Sequence, residues 1–120
     1  MTIRAIRGAT TLDVDERDHL HERTNELVSA MLRDNGLTAD ALVSVFFTCT
    51  PDIHADFPAA AARALGLGDV PLMCAVEMDV AGALGRVIRV MAHANLDVER
   101  AEVKHVYLHD AVSLRTDLAQ

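Results

Sequence analysis

The chain has 120 residues, and at roughly 100–200 residues per domain it predicts one domain spanning residues 1–120. With Lys+Arg 11 against Asp+Glu 18 the formal net charge is −7, which opposes nucleic acid and anionic membrane surfaces by bulk electrostatics. Trp is absent, Tyr occurs once and Phe three times, too few aromatics for a base-stacking platform, while a hydrophobic content of 51% is enough for a core without disulfides or a structural metal.

The first predicted element is a strand, Ile3-Arg-Ala-Ile-Arg-Gly-Ala-Thr10, which puts Ile3, Ala5 and Arg7 on one face. No apolar leader precedes it and no run approaches the ~20 apolar residues of a membrane span, so a soluble, cytoplasmic protein is expected. Asp13 to Glu16 has capping-box spacing and predicts a helix start. Leu20, Thr24, Leu27 and Met31, flanked by Val28 and Leu32, then form an apolar stripe against a charged face of Glu22, Arg23, Glu26 and Arg33. His19 and His21 fall on different helix faces and are expected in solvent. Asn35-Gly36 stops the helix.

The apolar run Ala41–Cys49 reads as a buried strand ended by Thr50-Pro51-Asp52, and Phe57-Pro58 opens an alanine-rich helix through Leu65. Further strands are predicted at Val70–Met78, at Arg86–His93 with Val87, Arg89 and Met91 on one face, and at His105–Leu108. The order β-α-β-α-β-β-β predicts an α+β domain whose mixed β-sheet is covered on one side by helices. A bare second sheet face would be a large apolar patch, so an oligomer is expected.

Arg7, Glu77 and Arg89 each interrupt an otherwise apolar strand, and such charges need a charged partner or a ligand. One reading pairs Glu77 with Arg89 or leaves the charges at a wet sheet edge. The other is a site for an anion, since guanidinium forks, with Arg63 and Arg115 also available, match carboxylate or phosphate. His105, Tyr107 and His109 alternate along one strand face, and Asp52, His54 and Asp56 alternate similarly, yet neither set has a metal-ligand spacing. Cys49 and Cys74 form no C-x-x-C pair and are expected as reduced thiols, Cys74 being a small core residue rather than a nucleophile. Gly66 and Gly68 do not make a phosphate loop.

Five blocks together resemble the small monofunctional chorismate mutases of the trimeric α+β type: Ile3–Thr11, Thr50–Ala59, Glu77-Met-Asp-Val80, Ile88-Arg-Val-Met91 and His105-Val-Tyr-Leu108. The resemblance implies a homotrimer of pseudo-α/β-barrel form with clefts between subunits, the conversion of chorismate to prephenate, and no metal or organic cofactor. It also implies roles. Arg89 would donate to the ether oxygen, Arg7 and Tyr107 would hold the enolpyruvyl carboxylate, and Glu77 would bind the ring hydroxyl with Cys74 contributing through its backbone. Phe57, Ala59 and Arg63 would line the cleft from a neighbouring subunit, Met73 and Leu114 would form apolar walls, and Arg115 matches the arginine near the family's C-terminal end. Ala60 stands where a lysine is common, the Gly66–Val70 loop is one residue short, and Thr116 replaces a proline. Two alternatives stay open at this level: an imine or enamine deaminase of similar trimeric fold, and a non-catalytic trimeric module for a small carboxylate.

Overall fold

The apolar runs fold as strands because their β-branched and aromatic side chains fit a pleated surface that is buried on one face. The computed structural model describes residues 1–115. The elements follow in the order β1 (Ile3–Thr11), α1 (Arg17–Asp34), β2 (Leu42–Cys49), α2 (Pro58–Ala62), β3 (Leu72–Val76), β4 (Val87–Asn95) and β5 (Val106–Tyr107). They build a sheet of order β3-β2-β4-β1-β5, in which β4 runs antiparallel to β1 and β2, and the outer strands β3 and β5 pair parallel to β2 and β1. The sheet is mixed and helices cover one face, as expected. No helix of the described residues is long and apolar enough to cross a membrane.

Register divides the side chains cleanly between the faces. Ile6, Val45, Phe47, Val90 and Ala92 meet Leu27, Val28 and Met31 of α1 in the main core. A side chain on Gly8 would place its Cβ 2.5 Å from Met31 Sδ and 3.1 Å from Leu27 Cδ1, so α1 approaches β1 this closely only because residue 8 is glycine. The opposite face carries Ile3, Ala5 and Arg7 of β1, Phe46 of β2, Arg89 of β4, and Met73 and Ala75 of β3, all exposed. The predicted bare face is therefore present, with Met73 61% and Ile3 56% exposed.

Several local expectations are corrected. The capping box at Asp13–Glu16 does not form; α1 begins at Arg17 with Glu16 as its uncapped N-cap. The acidic side chains go elsewhere: Asp13 accepts from Arg23, and Asp15 accepts the amides of His54 and Ala55. Arg23, expected on the charged face, is 8% exposed and also donates to the Thr11 carbonyl, which ties α1 to the end of β1. Neither helix histidine is simply solvated, since His19 accepts the Asp13 amide and His21 bonds Asp56. The second helix is α-helical only to Ala62 and widens into a π-type turn over Arg63–Leu67, where Gly66 takes φ 110°. Asn35 and Gly36 end α1 as predicted, Gly36 at φ 64°.

Candidate active site

Cross-strand register aligns the candidate residues on the open face. One row runs Tyr107, Ala9, Arg89, Thr48, Ala75 across all five strands, and the next contains Arg7, Met91, Phe46 and Met73. Arg7 and Arg89 are thus diagonal neighbours on antiparallel strands, a spacing of about 7–8 Å that lets two long side chains reach one small ligand.

Glu77 lies just beyond β3 and turns back over the row. Its Oε1 accepts from Thr48 Oγ1 at 2.7 Å and lies 2.7 Å from Arg89 Nε. The ion pair foreseen from the sequence is present, and it does not exhaust the site. Glu77 keeps a second carboxylate oxygen, and Arg89, with its side chain 46% exposed, keeps the terminal nitrogens of its fork. Thr48 was not foreseen, because nothing in a run such as Ser-Val-Phe-Phe-Thr-Cys marks one hydroxyl as the anchor of a distant glutamate.

The β5 side of the same face is cationic. The Arg7 guanidinium is exposed and has no hydrogen-bond or ion-pair partner among the described residues. Its backbone N–H donates to His105 Nδ1 at 2.9 Å. Burial, then the charges of Arg7 and Arg115, hold the His105 imidazole below its ordinary value. Arg115 Nη1 donates to the Tyr107 hydroxyl at 2.8 Å and its guanidinium stacks 5.0 Å from that ring. With its oxygen accepting, the Tyr107 hydroxyl has its own proton left to give.

Most of the remaining candidates lie at the β3 edge, with Leu114 and His109 at the β5 end. Phe57 (67% exposed) and Cys74 line a cavity of about 580 Å³ together with Cys49, Asp56, Pro58 and Val76. The Cys74 side chain packs on the helix-facing core, leaving only its backbone to serve the other face. Beside it, the Cys49 thiol is pushed up to about 12, chiefly by burial and then by the charges of Cys74, Glu77 and Asp15. Neither cysteine is in a disulfide. Arg63 is exposed, Leu114 is half-buried, and Ala59 is only 6% exposed within the core, so in one chain it offers little wall. His109 does not continue the β5 face: it takes φ 53° and its Nε2 meets Glu26 Oε1 of α1 at 2.7 Å. Asp52 instead accepts the Arg86 amide and the Thr50 hydroxyl, and no group of three potential metal-ligating side chains gathers among the described residues.

The sequence profile described as "Chorismate mutase type I" matches residues 3–118. The chain belongs to the type I chorismate mutase family. It is 47% identical over 117 residues to the chorismate mutase AroH of Thermus thermophilus, covering 97% of this chain and 96% of that relative. The AroH of Bacillus subtilis (strain 168) is 42% identical over 120 residues, covering 99% and 94%. The solved structure of a chorismate mutase from Clostridium thermocellum superposes with a TM-score of 0.89 at 45% identity, covering 91% of this chain and 97% of that one. Of the departures from the family pattern, Ala60 is half-buried at the third position of α2 and the 66–70 loop follows the π-type turn, while Thr116 lies outside the described residues.

Proposed function

We propose that this chain is a cytoplasmic chorismate mutase, isomerising chorismate to prephenate for phenylalanine and tyrosine synthesis, and that it acts as a homotrimer. The observation that carries the chemistry is Arg89: a half-exposed guanidinium held through Nε by Glu77, on the same sheet face as Arg7, whose guanidinium has no partner among the described residues. The rearrangement breaks an ether carbon–oxygen bond while a carbon–carbon bond forms in the same molecule, with no proton transferred and no covalent intermediate. The protein therefore has to hold the compact conformer and meet the charge that develops.

The residues divide that work. Arg89 donates to the ether oxygen as negative charge grows there, and Glu77, through its remaining oxygen, binds the ring hydroxyl beside the developing positive ring. Arg7 and the Tyr107 hydroxyl, the latter polarised by Arg115, take the enolpyruvyl carboxylate. His105, kept neutral, supports the Arg7 backbone without adding a third charge.

The bare face supports an oligomer, and its being a trimer rests on the family resemblance. Arg7, Tyr107 and Arg115 lie toward the β5 edge, whereas Phe57, Arg63 and Met73 lie toward the β3 edge of the same sheet. A neighbouring copy bringing its β3 side over this face would cover Phe46 and Met73 and close a cleft between the two groups. The test is to follow chorismate absorbance with purified, chelator-treated protein, to identify the product, and to weigh the particle in solution. Saturable formation of prephenate by a particle of three chain masses is the expected result. Ammonia release from an imine, or binding of chorismate without turnover, would replace the mutase reading.

A further inference from the structure

The loop that carries Phe57 has backbone hydrogen bonds only at its ends, Ile53 N–H to the Thr50 carbonyl and Ala60 N–H to the Phe57 carbonyl, and its middle is held by side chains. Three of its amides are engaged by carboxylates: His54 and Ala55 donate to Asp15 at 2.9 and 3.0 Å, and Phe57 donates to Asp56 Oδ1 at 2.7 Å. The same Asp56 carboxylate reaches α1 through its other oxygen, which lies 2.7 Å from His21 Nε2 and 3.4 Å from Arg17 Nε. His21 and Asp56 are 21% and 19% exposed, so this pair is not a surface accident of two long, mobile side chains. The hydrogen bond from His21 is also the main reason that the Asp56 carboxyl lies below its ordinary range.

We propose that Asp56, fastened by His21 and Arg17, is a positioning residue that sets Phe57 on the cleft wall and thereby tunes substrate affinity. This rests on the mutase reading of the cleft. Phe57 is 67% exposed and lines the large cavity; its carbonyl is fixed by the Ala60 amide, but no described backbone hydrogen bond fixes residues 54–56, so the approach of the chain to Phe57 and the hold on its amide come from this clamp. Losing it makes the loop pay an ordering cost at each binding event, a cost that falls on KM more than on kcat.

The test is a set of variants read by steady-state kinetics and by hydrogen exchange at the amides of residues 54–57. Asp56→Ala is expected to raise KM about three- to ten-fold with a smaller fall in kcat, and Asp56→Asn, which keeps an acceptor for the Phe57 amide, to recover most of it. His21→Ala should raise KM about two- to four-fold in the natural background and do nothing in a Phe57→Ala background, because both changes act on one contact. Faster exchange at Phe57 in both clamp variants should accompany these effects. An equal effect of His21→Ala in both backgrounds, or an unchanged KM in folded His21→Ala, would overturn the proposal even if Asp56→Ala fails to fold. If the natural protein does not turn chorismate over at all, the mutase reading falls first, and this inference with it.

Discussion

Replacing Arg89 by alanine separates an ion pair that merely neutralises charge from a donor that acts in the transition state. In the unliganded chain Arg89 is 46% exposed and gives one N–H to Glu77. Glu77 is only 15% exposed, so the pair is part-buried and its loss should cost about 1–3 kcal/mol, leaving a folded variant that melts below the natural protein. Glu77 also keeps its Thr48 hydroxyl. The catalytic loss is of another order: removing one preorganised donor from a developing oxyanion costs about 10²–10³ in kcat. Initial rates of chorismate consumption over a substrate range, with thermal unfolding of the same samples, would show kcat falling by that factor while KM moves much less. Arg89→Lys should recover only part of the rate, since an ammonium replaces the charge but not the planar fork held at Nε. A folded Arg89→Ala variant with kcat within about ten-fold of the natural protein would reduce Arg89 to a structural partner of Glu77.

Other expectations follow from particular contacts. Gly8→Ala drives a methyl into Met31 and Leu27 and should cost about 1–3 kcal/mol, read as a lower denaturant midpoint; an unchanged midpoint would mean that α1 can retreat freely. The His105 pKa is depressed on folding, so the unfolded chain binds that proton more readily, and its contribution is full above the ordinary value of about 6.5 and is lost as pH falls toward the folded value. His105→Gln, which can still accept the Arg7 amide, should flatten the stability–pH curve there, and parallel curves would contradict this. With its thiol at about 12, Cys49 is thiolate in only about one molecule in ten thousand at pH 8, so a thiol-specific reagent should modify it far more slowly in native than in unfolded protein. Fast native labelling at Cys49 would refute the burial of its thiol.

The sheet was readable because its signals are local. Ala41–Cys49 is continuous enough to mark a strand, although only its Val45 and Phe47 face is buried while Phe46 is exposed on the other, and Arg86–His93 shows which face Arg89 takes, so the charge anomaly pointed to the candidate site. Errors arose where acidic residues had a choice. Asp13 and Asp15 satisfy a helix-start pattern, but Arg23 and the 54–55 amides compete for them through the fold, and the local cap lost. His21 carried no sign of its partner, since Asp56 is 35 residues away and meets it only after α1 lies against the β2–α2 loop. The five blocks supplied the roles, whereas geometry supplied what they leave silent: that Thr48 anchors Glu77, and that His105 accepts the Arg7 amide.

The short outer strand β5 has a consequence for energetics. It joins the sheet through two register pairs, Gly8↔Val106 and Ala9↔Tyr107, supplemented by the Arg7–His105 bond and the Leu108 amide on Ala9. Strands anchored by so few bonds open at a free energy well below that of global unfolding. Tyr107 and the segment leading to Arg115 ride on this strip, so half of the proposed carboxylate pocket sits on a thinly bonded edge of the sheet. A bound dianion, by bridging Tyr107 to Arg7 on the central sheet, would act as a missing rung of that ladder, making ligand occupancy and closure of the sheet edge one thermodynamic event.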